Sequence, residues 1–217
     1  MNNALLLLLA LPNTLRFNLH YFRLRDALRL PVIVSHRVVL KTLKGRVTLG
    51  KVKTGIVKIG FGDVALFDAA RSRGIWSVRG EVSFKGKARI GHGNKFNVDG
   101  RLVIGHNVRM SAESAIVART SVTIGDDSLI SWDVLIMDSD FHPIYDAQGE
   151  RINPDKPVAI GNRVWIGCRS LILKGVEIAD GAIVAASTTL NRPMTTPNAI
   201  LGGSPPEVIR DGIRWEH

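Results

Sequence analysis

From Ile160 to Leu190 the chain reads IGNRVW IGCRSL ILKGVE IADGAI VAASTT L, with an aliphatic residue at every sixth position. Each of these anchors except the last is followed, four positions later, by a small or β-branched residue. A period of six drifts around the surface of an α-helix, and an amphipathic strand would alternate residue by residue. The anchors are Ile160, Ile166, Ile172, Ile178, Val184 and Leu190, and the residues that follow them are Val164, Ser170, Val176, Ala182 and Thr188.

The same period occurs upstream, in registers anchored at Val78, Ile104 and Ile124. A unit of six residues fits a short strand and a tight turn, and three units close one triangular coil with the anchors pointing inward. Each coil then pairs its backbone with the next, so neighbouring coils supply burial and hydrogen bonds. The sequence therefore predicts an all-β fold, a parallel β-helix of hexapeptide repeats.

The repeat is interrupted at His142 and resumes near Val158. The proline-rich, polar stretch between them predicts one projecting loop over residues 143–157. We divide the chain into a basic and apolar helical segment (1–45), the β-helix (46–210) and a short tail (211–217).

Charge and cysteine content narrow the classes of partner and compartment. The net charge is +10, and residues 1–62 hold eleven Lys and Arg against one acid, Asp26. No nucleic-acid-binding motif is present, so the basic end indicates an anionic membrane surface or an acidic glycan, with a solvated face without a partner as the alternative. The apolar run Leu5–Leu9 is shorter than the about 20 residues of a membrane span, so it does not predict a transmembrane helix. It has no basic segment before it, so it does not fit the pattern of a secretory signal either. The single Cys168 favours a reducing compartment, hence a cytoplasmic protein, and the basic end predicts a peripheral contact at the inner face of the cytoplasmic membrane.

The segment DSDFHP carries the residues best suited to chemistry. On extended backbone, Asp138, Asp140 and His142 would share one face. A neutral imidazole can take a proton near neutral pH, and a carboxylate beside it can fix its tautomer. We predict His142 as a general base, oriented by Asp140 first and Asp138 second. The alternative is a buried structural histidine. The six histidines form no close pair, and no metal is expected.

The stretches VWIGCRSLILKGVEIADGAIVAAST and GGSPPEVIR, together with DSDFHP, resemble the bacterial hexapeptide O-acetyltransferases, in particular their polysaccharide-modifying branch. The resemblance implies a left-handed helix, a homotrimer, acetyl-CoA as co-substrate and His142 as the base. The donor positions that the resemblance implies are Trp165, Gly167, Cys168, Ala186, Arg192 and Arg210, and the acceptor positions are Ser111 and Trp132. Three of the donor positions have a structural alternative: a surface packing contact for Trp165, a turn cap for Arg210 and a small half-buried side chain for Cys168.

We therefore predict an acetyl-CoA-dependent O-acetyltransferase that modifies a sugar hydroxyl in surface polysaccharide biosynthesis (capsule, O-antigen or exopolysaccharide). Transfer would be direct, without an acyl-enzyme or a metal. Two alternatives stay open: a non-catalytic scaffold or glycan-binding β-helix, and an N-acetyltransferase acting on an amino sugar.

Overall fold

The computed structural model describes residues 3–62 and 64–216 of the chain. Two helices precede the strands: α1 (Asn3–Tyr21) and α2 (Leu24–Ala27). In chain order the strands are β1 (Val32–Val34), β2 (Val38–Leu43), β3 (Arg46–Leu49), β4 (Val57–Ile59), β5 (Gly74–Val78), β6 (Glu81–Phe84), β7 (Ala88–Ile90), β8 (Lys95–Val98), β9 (Arg101–Ile104), β10 (Val108–Met110), β11 (Ala115–Ala118), β12 (Ser121–Ile124), β13 (Leu129–Ile130), β14 (Leu135–Met137), β15 (Val158–Ile160), β16 (Trp165–Ile166), β17 (Leu171–Ile172), β18 (Glu177–Ile178), β19 (Ile183–Val184), β20 (Thr189–Leu190), β21 (Ile200–Gly202) and β22 (Glu207–Arg210).

The strands form the three faces of a triangular β-helix, as the period of six predicts. Face A contains β1, β4, β7, β10, β13, β16, β19, β21 and β22; face B contains β2, β5, β8, β11, β14, β17 and β20; face C contains β3, β6, β9, β12, β15 and β18. Pairing within each face is parallel, except that β22 folds back antiparallel to β21. The chain visits the faces in the order A, B, C, and we name the turns between them corners A–B, B–C and C–A.

The anchors of successive coils stack in the interior. Ile124, Ile160 and Ile178 are register partners along face C, and Ile130 and Ile166 are partners on face A. All six anchors from Ile160 to Leu190 are buried, and so are the five small or β-branched residues that stand four positions after an anchor. The prediction of inward anchors is confirmed, and its physical basis is the burial of apolar side chains from each face, aliphatic in these coils and partly aromatic in earlier ones, such as Trp76, Phe84 and Phe96.

Glycine follows several anchors because the backbones of neighbouring coils approach closely there. A Cβ atom on Gly167 would lie 2.6 Å from the backbone nitrogen of Ala186. Close approach, and not an unusual backbone conformation, requires glycine here, because Gly167 has no positive φ. The left-handed positions at corner A–B belong to other residues, among them Asp133, Arg169 and Ser187.

Helix α1 covers the first coil. Phe17 is fully buried, and Asn18 binds the backbone of Val32 with both its amide atoms, at 2.6 and 3.2 Å. Thr14 accepts a hydrogen bond from the backbone nitrogen of Val34 at 3.0 Å. These contacts satisfy a sheet edge that would otherwise expose unpaired backbone groups. Strands β1 and β2 fall within the segment 1–45, so the β-helix begins before residue 46.

Candidate active site

The loop between β14 and β15 leaves the β-helix at corner B–C and spans residues 138–157, with an isolated bridge between Tyr145 and Arg151. Its first residue, Asp138, is completely buried. One carboxylate oxygen accepts a hydrogen bond from the backbone nitrogen of Arg119 at 2.8 Å, and the other accepts two from Thr120, both at 2.8 Å. Asp138 therefore holds the loop base to the turn of the preceding coil, and in the described part of the chain its carboxylate forms no hydrogen bond with His142.

Asp140 lies on the surface and binds a cation. Its carboxylate accepts a hydrogen bond from the ammonium of Lys174 and another, at 2.9 Å, from Asn153. The bond from Lys174, followed by that from Asn153, lowers the pKa of Asp140. The carboxylate is therefore an anion at neutral pH. It is bound by Lys174 from the coil above and by Asn153 from the far side of the loop.

His142 is exposed, and among the described residues its imidazole forms no ion pair with Asp138 or Asp140. Its backbone nitrogen donates to the carbonyl of Asp140 at 2.7 Å, and its own carbonyl accepts from Asn153 at 2.9 Å. Within residues 3–62 and 64–216, no hydrogen bond involves its ring. The expectation that Asp138, Asp140 and His142 share one face is not met, because Phe141 adopts a left-handed conformation (φ 64°) that breaks the alternation of an extended chain.

Two residues of this loop site, Asn153 and Lys174, are missing from the sequence prediction. The repeat gave a partial signal for Lys174. Ile136 and Ile172 are stacked anchors, and Lys174 stands two residues after Ile172 as Asp138 does after Ile136, which places Lys174 above the base of the loop. The register did not indicate that its partner would be Asp140 and not Asp138. Nothing in the spacing pointed to Asn153, because it lies in the irregular part of the loop.

The turns of corner A–B bring five of the predicted donor and acceptor residues into one stack. Backbone hydrogen bonds of 2.8–3.1 Å join each turn to the next. Ala186 is exposed, whereas Cys168 and Trp132 are half-buried. The stack contains, from the lowest coil upward, Ser111, Trp132, Gly167 with Cys168, and Ala186.

Trp165 lies on the outer surface of face A, next to this corner. Its indole nitrogen donates to the hydroxyl of Ser131 at 3.1 Å, and its ring centroid is 6.0 Å from that of Trp215. The indole of Trp215 in turn donates to the backbone oxygen of Arg163 at 2.8 Å. The aromatic pair fixes the C-terminal residues against the β-helix, so Trp165 has a structural contact whatever else it binds.

The two arginines of the predicted donor site lie at the C-terminal end. Arg192 follows β20, and its guanidinium donates to the backbone oxygen of Pro206 at 2.6 Å. Arg210 ends β22 opposite Ile200. Both arginines are exposed, and in the part of the chain that the structure describes neither forms an ion pair.

The two halves of the predicted site are separated within one chain. The loop with His142 leaves corner B–C, whereas Gly167, Cys168 and Ala186 lie at corner A–B, with the width of face B between them. Among residues 3–62 and 64–216, no group of three or more His, Cys, Asp or Glu side chains is placed to hold a metal ion.

Comparison with known proteins places the fold in a family. The model of the bacterial transferase hexapeptide (six repeats) matches residues 157–192. WbbJ of Escherichia coli K12, assigned to O-acetyl transfer in lipopolysaccharide biosynthesis, is 30% identical over 143 residues, which cover 60% of this chain and 72% of WbbJ. The chain belongs to the hexapeptide-repeat transferase family. This confirms the resemblance found in the sequence.

Two further members of the family illustrate the range of similarity. The galactoside O-acetyltransferase of Escherichia coli K12 is 33% identical over 119 residues, covering 54% of this chain and 57% of the enzyme. The crystal structure of the polysialic acid O-acetyltransferase OatWY superposes with a TM-score of 0.53 at 27% identity, covering 83% of this chain and 87% of OatWY. The fold is thus the left-handed parallel β-helix of this family. The chain spans about half the length of the first curated relatives it matches.

Proposed function

We propose that this protein is an O-acetyltransferase that moves an acetyl group from acetyl-CoA to a sugar hydroxyl in surface polysaccharide biosynthesis. The observation that carries the proposal is an exposed imidazole, His142, on a loop that is braced against the same β-helix whose corner A–B stacks the donor positions. Relatives named for O-acetyl transfer to galactosides, to polysialic acid and in lipopolysaccharide biosynthesis support the same reaction.

His142 would act as the base. It takes the proton of the acceptor hydroxyl as that oxygen attacks the thioester carbonyl, and it returns the proton to the sulfur as the carbon–sulfur bond breaks. The imidazole ends the cycle neutral, and no covalent enzyme intermediate forms. Asp140 would serve as a positioning residue, because Asn153 links its carboxylate to the backbone of His142.

The backbone amide of Ala186 is the best candidate to stabilise the oxyanion. In the described residues it donates no hydrogen bond, and Gly167 leaves it open, since a side chain there would lie 2.6 Å from it. An amide held in a rigid stack of coils needs no reorganisation as charge develops on the carbonyl oxygen. Arg192 and Arg210, both exposed, would bind the phosphates of CoA.

A thermal shift with acetyl-CoA tests the donor site. A ligand at about a hundred times its dissociation constant adds roughly 2.7 kcal/mol to the free energy of unfolding. A rise in Tm with acetyl-CoA, followed by acetyl transfer to a polysaccharide acceptor, is expected. An unchanged Tm at saturating acetyl-CoA would favour the scaffold or glycan-binding alternative.

We propose a homotrimer, because one chain holds the base and the donor stack at different corners. In an assembly of parallel helices, corner B–C of one subunit can meet corner A–B of the next. Co-expression of His142→Ala with Ala186→Trp, which fills the donor groove, tests this. Each variant alone should be inactive, and the mixture should regain activity because some interfaces combine two intact halves. A mixture as inactive as its parents would place the whole site in one chain.

We also propose a cytoplasmic protein with peripheral contact at an anionic membrane. No helix in the described part of the chain is long and apolar enough to cross a bilayer. Yet the two helices expose a leucine ridge toward solvent, with Arg16, Arg23, Arg25 and Arg29 in the same segment. The ridge consists of Leu5, Leu8, Leu15, Leu19, Leu24 and Leu28, whose exposed fractions run from 38% to 68%.

A helix that packs one side on the core and presents leucines on the other is suited to a bilayer interface, where arginines meet anionic headgroups. Co-sedimentation with vesicles of phosphatidylglycerol should exceed that with phosphatidylcholine alone. The variant Leu8→Gln/Leu15→Gln/Leu19→Gln should lose binding, whereas Leu66→Gln, at a leucine 72% exposed in a loop, should retain it. Deleting the helix would be uninformative, because Asn18 and Thr14 bind the first coil. Equal binding by the triple variant would overturn the contact.

A further inference from the structure

Three cations occupy successive positions on the outer surface of face A. Lys58 on β4 is the register partner of Arg89 on β7, and Arg89 is the partner of Arg109 on β10. Adjacent strands lie about 4.8 Å apart, so the three side chains leave the backbone within about 10 Å of one another. Like charges directly opposite each other destabilise a sheet. We call these three residues the cationic ladder.

In the part of the chain that the structure describes, the ladder has no carboxylate partner, whereas several cations elsewhere have one. Arg46 pairs with Glu81 at 2.9 Å on face C, and Lys95 pairs with Glu113 at 2.9 Å. No ion pair involves Lys58, Arg89 or Arg109 within residues 3–62 and 64–216. The repulsion between the strands is therefore not offset from within the described chain.

Arg89 is held in place by the backbone. Its guanidinium donates to the carbonyls of Ile56 at 2.8 Å and Ala88 at 2.9 Å. Burial, and then the charge of Arg109, lower the pKa of Arg89. The middle of the ladder is thus a half-buried cation of fixed orientation, flanked by the cations of Lys58 and Arg109.

A groove of about 420 Å³ runs beside Arg89 and Arg109, and Lys58 lies one strand below Arg89, outside its lining. This volume is within the range of ligand-binding clefts. Phe61 and Val64 line it together with Arg89 and Arg109, and Ser111 lines it at corner A–B. Ser111 is also the lowest member of the corner A–B stack that leads to Gly167 and Ala186. The groove therefore joins the ladder to the proposed donor site along one edge of the molecule.

We propose that the groove on face A binds an anionic glycan, whose carboxylate or phosphate groups lie over the cationic ladder while the chain continues toward Ser111. The proposal rests on the proposed function in that it names the class of acceptor. Cations in a rigid row suit a repeating anion, because one bound group holds the next near its own partner. A neutral glycan would leave the repulsion within the ladder uncompensated.

Binding of defined oligosaccharides to the full-length protein, without any acetyl donor, tests this. The probes are a fluorescent hexamer of galacturonic acid, which carries carboxylates, a glycerol phosphate oligomer, which carries phosphates, and the neutral maltohexaose. We expect at least one anionic probe to bind and the neutral probe not to bind, and the tighter anionic probe identifies the charged group. Equal binding of all three, or of none, would overturn the proposal.

Single substitutions separate the ladder from general electrostatics. Lys58→Gln and Arg109→Gln should each weaken the anionic probe about three- to fivefold. Arg101→Gln removes the same charge from the outer surface of face C and should change binding less than about twofold. Arg89 is left intact because its bonds to Ile56 and Ala88 support the fold. If Arg101→Gln weakens binding of the anionic probe equally, the effect is one of net charge, and the proposed role of the ladder is overturned.

The outcome is independent of catalysis. A protein that binds the anionic probe but transfers no acetyl group would leave the ladder standing and contradict only the proposed function. The reverse result is acetyl transfer to neutral sugars, at a rate that Arg109→Gln does not change, by a protein that binds no anionic probe. It would leave the proposed function standing and contradict the ladder.

Discussion

Lys174 donates a hydrogen bond to the carboxylate of Asp140 from the coil above the loop. Asp140 also accepts from Asn153, and the same amide group of Asn153 donates to the carbonyl of His142. The carboxylate expected to orient the imidazole thus fixes the loop that carries it.

Replacing Lys174 by Met should raise the pKa of Asp140 toward its ordinary value, because the largest cause of its lowering is removed. The lowered pKa means that the pair stabilises the folded loop above the ordinary carboxyl pKa, and that this contribution is lost as pH falls through the lowered value. Titration of the side-chain carboxyl by NMR measures the change. Asp155, which pairs with Arg151 at 3.3 Å in the same loop, is the internal control. An unchanged titration of Asp140 would contradict the assignment.

Asp138→Asn should destabilise the fold by about 2–4 kcal/mol. One carboxylate oxygen accepts from both the backbone nitrogen and the hydroxyl of Thr120, and the other accepts from the nitrogen of Arg119. An amide must turn its NH₂ group toward one of these donors in a fully buried site. Urea denaturation measures the loss. Asp133→Asn, at an exposed pair with Arg169, should cost less than about 0.5 kcal/mol. Similar losses in both variants would show that burial of Asp138 does not matter.

His142→Ala should lower turnover by about 10²–10⁴-fold. The thermal shift with acetyl-CoA should persist, because the donor stack lies at another corner. Folding should be unaffected, since the bonds of His142 to Asp140 and Asn153 use only its backbone. His106→Ala, at corner C–A, should keep full activity. Near-normal turnover in His142→Ala would remove it as the base.

Gly167→Ala should weaken acetyl-CoA binding as well as stability, because a Cβ at this position lies 2.6 Å from the nitrogen of Ala186. Gly105→Ala makes a comparable clash, 2.6 Å from the carbonyl carbon of Gly125, at corner C–A. The two variants should lose similar stability, as read by Tm without ligand. Only Gly167→Ala should lose the rise in Tm with acetyl-CoA. Loss of that rise in both would show that the effect is a general one of folding.

The repeat fixes the coil because its information is local. Every sixth residue must be aliphatic to fill the interior, and Ile160, Ile166 and Ile172 reveal the period without any other part of the chain. The same register also places Lys174 above Asp138, because each stands two residues after an anchor and those anchors, Ile172 and Ile136, belong to adjacent coils. The extent of the β-helix was less visible, because β1 and β2 lack the regular anchors of later coils.

The sequence by itself determined the class of fold, the stacking of Gly167 with Cys168 below Ala186 in successive coils, and the presence of one projecting loop. It put the start of that loop at residue 143, whereas the structure puts it at residue 138. Only the tertiary structure decided what the side chains of that loop do. Asp138 is buried against Arg119 and Thr120, whereas Phe141 turns the backbone into the left-handed region and His142 is exposed. Likewise Lys58, Arg89 and Arg109 are scattered along the chain and become a row only when the coils stack. Local periodicity encodes the coil, whereas contacts between distant residues depend on how many residues each turn and loop inserts between coils.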